Sequence, residues 1–468
     1  SMADVKYVHQ NVAFEAVDPA NGKFLVKNRF YFTNLQKYMI SYTIKANGKT
    51  VKGGKMSVNV EPQGSKEITI ATSGLKSKPG TEYFIYFNVT TTEPEPLIPV
   101  GHEIAYEQFR LPIEPGERTF ATGGPALKVS AEGNELTASS SKVNFVFDKK
   151  TGLVSSYKVG GTEYFKDGFG LQPNFWRAPN DNDYGNGNPK RLQVWKQSSK
   201  NFNVVDANIV MDGKDAVLTA NYLLAAGNLY IVTYRISPSG VVKADFTFTS
   251  TDMEAAKTEA SEATLMATFT PGSDAARKAA SKLEVPRIGV RFRLPAEMNQ
   301  VEYFGRGPEE NYIDRNAGTL IDLYKTTADQ MYFPYVRPQE NGHHTDTRWL
   351  TLNKKGGKGL TIYADKTIGF NALRNSVEDF DGEETVSRPY QWLNRDAGEL
   401  VHDESKAKDQ LPRKTHINDI TPRNFVEVCV DMKQQGVAGY NSWGARPEPG
   451  YNIPANQEYK WGFTIVPR

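Results

Sequence analysis

The residues with the most distinctive chemistry lie in segment 436–451, which follows an apolar, strand-like run at 426–432. Four glycines and two prolines break this segment, so they exclude a helix and predict an exposed loop. Trp443 stands near its centre, where a large apolar ring is costly to expose unless something packs against it. An indole can stack on the apolar C–H face of a sugar, and Asn441 and Ser442 beside it can reach hydroxyl groups. In the alternative interpretation, Trp443 plugs the loop onto its own domain.

A second candidate is segment 174–189, where aromatic residues and Arg177 lead into a polar loop. The acidic and amide side chains at 181–183 are of the types that bind calcium or sugar hydroxyls. An EF-hand is excluded by spacing: counted from Asp181, the glycine comes one position early and the twelfth residue is Leu192. The alternative is a tight turn whose side chains bond their own backbone, with Arg177 paired to one carboxylate.

Segment 303–315 places three carboxylates, on Glu309, Glu310 and Asp314, near two arginines. These carboxylates could form an acid/base pair. Because opposite charges balance nearby and glycine and proline make the segment a loop, structural ion pairs are the favoured interpretation.

Segment 337–349 holds the adjacent pair His343 and His344, with Asp346 two positions further on. In a strand, His344 and Asp346 would share a face, as a metal site or a proton shuttle requires. No third ligand follows at a recognisable spacing, so the pattern gives metal binding little support.

The elements that must position these residues are strands. At 468 residues the length favours roughly two to four domains. Seven short alternating segments separated by turns predict an immunoglobulin-like sandwich, and the proline- and glycine-rich stretch 112–126 predicts a linker. The seven candidate strands are 14–17, 23–32, 39–46, 54–60, 65–70, 83–92 and 103–111.

Strand patterns continue after the linker without a long helical interlude, so two large facing sheets are expected. Residues 143–147 and 153–159 form a hairpin pattern. Two segments differ: 253–282 is alanine-rich, typical of a short helix or an insertion, and 383–409 is highly charged, typical of a surface excursion.

The charge pattern excludes several functions. Fifty-six basic residues face 54 acidic ones with no basic block, so nucleic-acid and anionic-membrane binding have no electrostatic support. No run approaches the length of a membrane span. The single cysteine, Cys429, lies in an apolar run and cannot form an intrachain disulfide. These features are those of a soluble protein and leave its compartment, cytoplasmic or periplasmic, open.

Four motifs follow one another in a fixed order on this all-β background, at 174–187, 303–315, 337–341 and 437–443. Together they resemble the small-chain, C-terminal domain of the glycoside hydrolase family 2 β-galactosidases. The preceding sandwich, with its last strand in residues 99–111, is similar to the immunoglobulin-like domain before that region. The resemblance covers nearly the whole chain.

The resemblance implies an all-β fold: an immunoglobulin-like β-sandwich at 1–118, a linker at 119–125 and a large galactose-mutarotase-like supersandwich at 126–468. Trp443 would match the tryptophan that the family's C-terminal domain lends to the galactose site. Segment 183–187 would match a segment that borders the same site and moves on ligand binding. The candidate substrate-binding residues are therefore Trp443, Asn441, Ser442, Asp183, Gly185 and Asn186. The chain departs from better-known members at Tyr440 and Asn441 and in the insertion at 253–282.

In this family both catalytic carboxylates lie on a (β/α)₈ barrel, and the chain has no alternating βα pattern of barrel length. The resemblance thus implies a part that completes the galactose site of an upstream barrel but hydrolyses nothing alone. No catalytic residue or metal ligand is assigned to this chain, and magnesium and sodium ions are expected on the parent's barrel. The expected partners are the upstream barrel and N-terminal domains, a galactoside and, left open, a second copy of the chain.

Two other functions stay open. An aldose 1-epimerase would bring His344 and Glu309 or Glu310 together in one cleft to open and close a sugar ring. A free-standing carbohydrate-binding module would use Trp443 to bind galactose without the barrel, although one stacked ring gives little affinity.

Overall fold

The structure, a computed structural model, describes residues 2–249, 284–381, 391–394, 399–402 and 416–468. It falls into two compact units. One comprises Ser1–Phe120, Phe304–Pro308 and Arg315–Tyr324, and the other comprises Ala121–Tyr303, Glu309–Asp314 and Lys325–Arg468. The insertion at 253–282 and most of the charged segment 383–409 lie outside the described residues.

The first unit is a seven-stranded β-sandwich, as its turn spacing predicts. Strands β1, β2 and β5 form one sheet in that order, and the other sheet has the order β4-β3-β6-β7. Helix α1 (Met2–His9) packs on β7, where the hydroxyl of Tyr7 donates to Glu107 (2.6 Å). The strands are β1 (Val12–Asp18), β2 (Lys23–Asn28), β3 (Tyr38–Ala46), β4 (Lys49–Met56), β5 (Ser65–Thr69), β6 (Tyr83–Thr91) and β7 (Glu103–Arg110).

Aromatic side chains from both sheets fill the core of this sandwich. Phe87 is fully buried and stacks on Phe14, with ring centroids 4.6 Å apart, and Phe24 meets it edge-on at 5.0 Å. Strand β4 begins earlier than the predicted 54–60. Asn47 and Gly48 both have positive φ (44° and 83°), as a two-residue hairpin turn requires, so pairing resumes at once after them.

Most of the other strands belong to the second unit and form two main sheets, whereas β19 and β20 include residues of both units. A five-stranded sheet has the order β12-β11-β10-β9-β8. The larger sheet has the order β13-β18-β25-β22-β26-β17-β16-β15-β14, with β21 paired to β22 and β19 paired to β20 and β21. The strands are β8 (Lys128–Glu132), β9 (Glu135–Ser139), β10 (Val143–Asp148), β11 (Leu153–Val159), β12 (Thr162–Glu163), β13 (Gln172–Asn174), β14 (Asn203–Asp212), β15 (Asp215–Leu223), β16 (Leu229–Ile236), β17 (Val242–Phe248), β18 (Arg287–Pro295), β19 (Gln300–Gly307), β20 (Leu320–Thr327), β21 (His344–Asn353), β22 (Gly359–Leu373), β23 (Gln391–Asn394), β24 (Glu399–His402), β25 (Phe425–Gln434) and β26 (Tyr459–Pro467).

The two main sheets share an aromatic core, which confirms the expectation of facing sheets and an all-β class. Phe145 on β10 lies 5.6 Å, centroid to centroid, from Tyr234 on β16. Tyr157 on β11 is fully buried, and its hydroxyl donates to the carbonyl of Gly240 (2.6 Å). The predicted hairpin at 143–159 is also confirmed, since β10 and β11 pair from Val143 and Val159 to Asp148 and Leu153.

Short helices interrupt the second unit, and the first two begin within segment 174–189, where a polar loop was expected. They are α2 (Asp181–Gly185), α3 (Asn188–Arg191), α4 (Gln193–Ser198) and α5 (Val377–Phe380). Asn180 caps α2 by accepting from the Asp183 N–H (2.9 Å), and Pro189 opens the first turn of α3. None of the described helices is long and apolar enough to span a membrane.

Candidate functional site

The sheet topology explains why the two candidate segments meet. Strand β18 lies between β13 and β25 and pairs antiparallel with both, so β13 and β25 run in the same direction. Gly289 on β18 faces Asn174 at the end of β13 and Asp431 near the end of β25. The segments after β13 and β25 therefore leave the sheet on the same side, where both strands end.

The two segments touch backbone to backbone. A Cβ atom added to Gly185 would lie 2.8 Å from Cα of Gly444, closer than real Cβ atoms approach such neighbours, and a tight 3.1 Å from its nitrogen. Gly444 has φ +95°, a conformation that favours glycine. All six candidate substrate-binding residues thus lie on this pair of touching segments.

Trp443 is 89% exposed, and Tyr440 in the same loop is 84% exposed. No aromatic ring among the described residues packs on the indole. The alternative in which Trp443 plugs its loop onto its own domain is therefore wrong, because a plug would be buried. That the indole contacts a sugar stays a prediction.

Local hydrogen bonds shape the turn that carries Trp443. The side-chain oxygen of Asn441 accepts from the N–H groups of Trp443 (2.9 Å) and Ala445 (3.3 Å). This is the Asx arrangement that lets a short polar side chain replace a backbone partner. Oδ1 of Asn441 is thus occupied within the loop, whereas the Ser442 side chain is exposed to solvent.

The base of the loop is fixed by Asp314. Its carboxylate accepts from the N–H groups of Val437 (3.1 Å) and Ala438 (2.8 Å). A side chain at Gly436 would meet this carboxylate, so a larger residue there would displace Asp314 from the loop. From the other segment, Nδ2 of Asn180 donates to the Val437 carbonyl (2.7 Å). The loop is therefore anchored where it leaves β25.

Asp183 is buried, and its carboxylate makes only internal bonds. Arg177 donates to both oxygens, at 2.6 and 3.1 Å, and the side chains of both residues are at most 4% exposed. The Asn180 N–H (3.0 Å) and the Asn188 amide (3.2 Å) also donate to it. This is the turn with an Arg177–carboxylate pair that the sequence analysis left open. A sugar contact at Asp183 stays a prediction, and the observed role of its carboxylate is to hold α2.

Asn186 and Gly185 end helix α2. The side-chain oxygen of Asn186 accepts from Arg191 at 3.5 Å, and its N–H donates to the Asn182 carbonyl (2.9 Å). Gly185 is exposed except where it meets Gly444. Their role in substrate binding is likewise untested by this geometry.

A buried charged cluster lies beside these segments. Arg287 has no exposed surface and contacts Glu340 (2.8 Å) and Asp431 (3.2 Å). Burial raises the pKa of Asp431 to about 7, although the charge of Arg287 opposes this. Burial, together with the charge of Arg287, lowers the pKa of His343, which lies 3.7 Å from Asp431. The imidazole of His343 is therefore neutral at pH 7.

His344 and Asp346 do not form the shared face that a regular strand would give. Asp346 has a positive φ of 52°, and the register of β21 shifts between His344 and Thr347, which breaks the alternation. His344 is 3% exposed and packs between the rings of Tyr303 (4.9 Å) and Phe370 (5.5 Å). Within the described ranges, no group of three or more His, Cys, Asp or Glu residues is arranged to hold a metal ion.

The carboxylates of segment 303–315 also differ in environment. Glu309 is exposed, whereas Glu310 is buried and accepts from the Gly342 N–H (2.7 Å). Glu310 and His344 are thus both packed inside the unit, and no sugar ring can reach them as placed. This arrangement weighs against the aldose 1-epimerase alternative.

Comparison with known proteins assigns the chain to a family. Residues 139–465 match the family model described as "Beta galactosidase small chain", and residues 24–112 match "Beta-galactosidase, domain 4". Since the first match covers more than half of the chain, the protein belongs to the β-galactosidase small-chain family. The resemblance expected from the motifs is confirmed.

The curated relatives are longer than this chain. The β-galactosidase of Priestia megaterium is 31% identical over all of this chain, which covers 39% of that protein. Those of Halalkalibacterium halodurans and Streptococcus thermophilus are 25% and 23% identical over 99% of the chain, which covers 40% and 39% of them. The chain thus spans about two fifths of the length of these relatives.

Solved structures give a weaker likeness. A galactose mutarotase related enzyme from Lactobacillus acidophilus (TM-score 0.31, 9% identity) aligns over 71% of this chain and 97% of its own chain. A putative aldose 1-epimerase from Escherichia coli K12 (TM-score 0.33, 8% identity) aligns over 73% of this chain and 99% of its own chain. At these scores the likeness supports no argument about function.

Proposed function

We propose that this chain is the C-terminal, non-catalytic part of a retaining β-galactosidase of glycoside hydrolase family 2. In this proposal Trp443 is an aromatic platform for the galactoside, and an upstream (β/α)₈ barrel supplies the catalytic groups. The observation that supports it best is a tryptophan that is 89% exposed on an anchored turn. Membership of the family and the two-fifths span of β-galactosidase relatives support the remainder.

The exposed indole suits a sugar better than a protein contact of its own chain. The apolar C–H face of a galactose ring can cover part of the indole, while neighbouring amide and hydroxyl groups reach its polar edge. Ser442 is exposed beside the ring and can supply such a hydroxyl. In this proposal Asp183 and Gly185 on α2, and Asn186 directly after it, border the same position.

The hydrolytic step needs groups that this part of the chain does not offer next to Trp443. A retaining glycosidase uses an acid/base and a nucleophile, two carboxylates about 5–5.5 Å apart. The carboxylates that hold the two segments, on Asp183 and Asp314, are already bonded to Arg177 and to backbone N–H groups. We therefore assign both catalytic carboxylates, and any magnesium or sodium site of the parent enzyme, to polypeptide outside this chain.

Hydrolysis of o-nitrophenyl β-galactoside tests the proposal. The purified chain should give no turnover above the buffer rate, whereas the polypeptide extended upstream in its native reading frame should hydrolyse the galactoside. In the extended protein, Trp443→Ala should lower kcat/KM at least about tenfold, the scale of one well-stacked ring. The exposed Val210→Ala on β14 is the control and should leave kcat/KM unchanged. Enzyme-like turnover by the chain alone, or an unchanged kcat/KM in Trp443→Ala, would contradict the proposal.

A free-standing carbohydrate-binding module is the second candidate, because an indole that is 89% exposed is also available to a free sugar. Titration calorimetry of the isolated chain with galactose and lactose separates the two functions. Under our proposal no binding is measurable at millimolar sugar, since one stacked ring barely offsets the entropy lost on association. Millimolar or tighter binding that Trp443→Ala abolishes would favour the binding module.

A further inference from the structure

We propose that Asn182 is a positioning residue for Trp443. This inference rests on the proposed function for its catalytic consequence, but its structural part stands on contacts in this chain alone. Asn182 lies on α2, 259 positions before Asn441 in the sequence. Its carboxamide contacts the backbone on both sides of the tryptophan.

The two contacts of Asn182 replace the missing hydrogen bond of a turn. In an ordinary β-turn the carbonyl of the first residue accepts from the N–H of the fourth. Here Asn441 and Gly444 hold those positions, and Ser442 and Trp443 lie between them. The Nδ2 of Asn182 donates to the Asn441 carbonyl (2.9 Å), and the Gly444 N–H donates to Oδ1 of Asn182 (3.2 Å). One planar amide thus bridges both ends of the turn and fixes the separation between the Asn441 carbonyl and the Gly444 N–H.

Asn182 is itself held firmly enough to act in this way. Its neighbour Asp183 is bound by the buried Arg177. On the other side, Arg337 donates to Asp181 (3.1 Å) and lies over the ring of Tyr184, 3.9 Å from its centroid. Helix α2 is therefore fixed from two directions by charged contacts, so the amide of Asn182 is an anchored reference point for the turn.

The geometry also explains why glycine stands at both 185 and 444. The amide of Asn182 reaches the turn only because the two backbones meet without side chains between them. A Cβ at Gly444 would lie 2.6 Å from the carbonyl carbon of Gly185 and would push the segments apart. The Asn182 bridge and the close contact between Gly185 and Gly444 therefore act together to fix the position of the Trp443 indole.

Hydrogen exchange and fluorine NMR on the isolated chain test the bridge. Asn182→Ala removes both bonds, so the Gly444 amide should exchange about tenfold faster or more. With 5-fluorotryptophan in place of the six tryptophans, the signal of Trp443, assigned through Trp443→Phe, should sharpen and shift towards that of an unrestrained side chain. Asn182→Asp keeps the acceptor for Gly444 but loses the donor to Asn441, so it should free only the Asn441 side of the turn.

Two controls keep these results interpretable. Asn208→Ala, an exposed asparagine on β14, should leave exchange at Gly444 and the Trp443 signal unchanged. The buried thiol of Cys429 should label as slowly in Asn182→Ala as in the parent chain, which shows that the fold is intact. Unchanged exchange at Gly444 and an unchanged Trp443 signal in Asn182→Ala would overturn the bridge.

Kinetics of the upstream-extended protein test the positioning role. Asn182→Ala should lower kcat/KM for o-nitrophenyl β-galactoside about fivefold, less than Trp443→Ala, and the double variant should be no worse than Trp443→Ala alone, because both act through the same ring. If the bridge variant frees the turn but neither substitution changes kcat/KM, the proposed function fails and Asn182 is a structural contact only. If Trp443→Ala lowers kcat/KM and Asn182→Ala does not, the proposed function stands and the positioning role of Asn182 is overturned.

Discussion

The buried ion pair between Arg177 and Asp183 should be the most sensitive point of the candidate site. Both side chains are at most 4% exposed, and two hydrogen bonds of 2.6 and 3.1 Å join them. Asp183→Asn keeps the shape of the side chain but leaves the guanidinium buried without its counter-charge. Breaking one partner of a buried pair in this way costs about 3–5 kcal/mol, because the remaining charge stays desolvated.

This cost predicts a measurable fall in thermal stability. The second unit contains roughly 330 residues, so its entropy of unfolding is about 0.7 kcal/mol/K at the usual value per residue. Dividing the cost by this entropy predicts that Asp183→Asn lowers the Tm of the second unit by about 4–7 °C. The first unit should be unaffected.

The single cysteine assigns the effect to the right unit. Cys429 lies on β25 and is 2% exposed, and burial raises the pKa of its thiol, so it is unreactive until the second unit opens. Calorimetry gives the Tm, and the rate of maleimide labelling at Cys429 reports opening of this unit. A loss of 3 kcal/mol or more should raise that rate at least about a hundredfold when closing is fast.

A matched control and a double variant make the reasoning refutable. Asp206→Asn, an exposed carboxylate on β14, should leave both measurements unchanged. Replacing both partners, as Arg177→Met with Asp183→Leu, should cost less than the sum of the single replacements, since no lone charge remains. A Tm within 1 °C of the parent for Asp183→Asn, or strict additivity in the double variant, would show that the pair does not act as a buried unit.

Three further predictions concern other parts of the chain. Burial alone would raise the pKa of Glu378, but the charge and hydrogen bonds of Arg291 outweigh burial and lower it to about 2. The Glu378 carboxylate therefore stabilises the fold above pH 4.5, and this stabilisation is lost as the pH falls towards 2. In urea titrations between these pH values, Glu378→Gln should lose less stability than the parent chain. Gly436→Ala places a Cβ against the carboxylate of Asp314 and should speed exchange of the two N–H groups that this carboxylate binds, without a change at β25. Phe87→Ala empties the centre of the first sandwich and should cost about 3–5 kcal/mol, seen by calorimetry as a lower Tm of the first unit alone.

The strands of the first unit were predictable because their signals are local. Turn residues such as Asn47 and Gly48 mark where the chain reverses, and alternation between them marks the buried faces. The fourth strand, predicted at 54–60, lies at Lys49–Met56, because pairing resumes directly after the two-residue turn. The sequence did not predict the short helices at 181–198, because the residues that cap them, such as Asn180 and Gly187, are also typical of loops.

Residue types and the family resemblance single out the candidate site residues, but the contacts that hold their segments have no local signal in the sequence. Trp443 and the segment at 183–187 stand out by residue type and by the family resemblance. Their supports do not, because Asn182 meets Asn441 across 259 positions and Asp314 meets Val437 across 123. The first of these pairings follows from the order β13-β18-β25, which no local pattern encodes. The sequence thus singles out Trp443, and the topology brings α2 to its loop.

Several hydrogen bonds hold the loop that carries the exposed ring of Trp443. A tryptophan that is 89% exposed contributes little to the stability of its own unit, yet Asn182, Asp314 and Asn441 all bond the backbone of its loop. Ordering a loop before it binds removes an entropy cost that would otherwise be deducted from affinity. Anchoring therefore gains nothing for a decorative side chain and gains most for one that must meet a ligand at a set position. These contacts join the loop of Trp443 to α2 and to Asp314, which is what the preorganised platform that we propose requires.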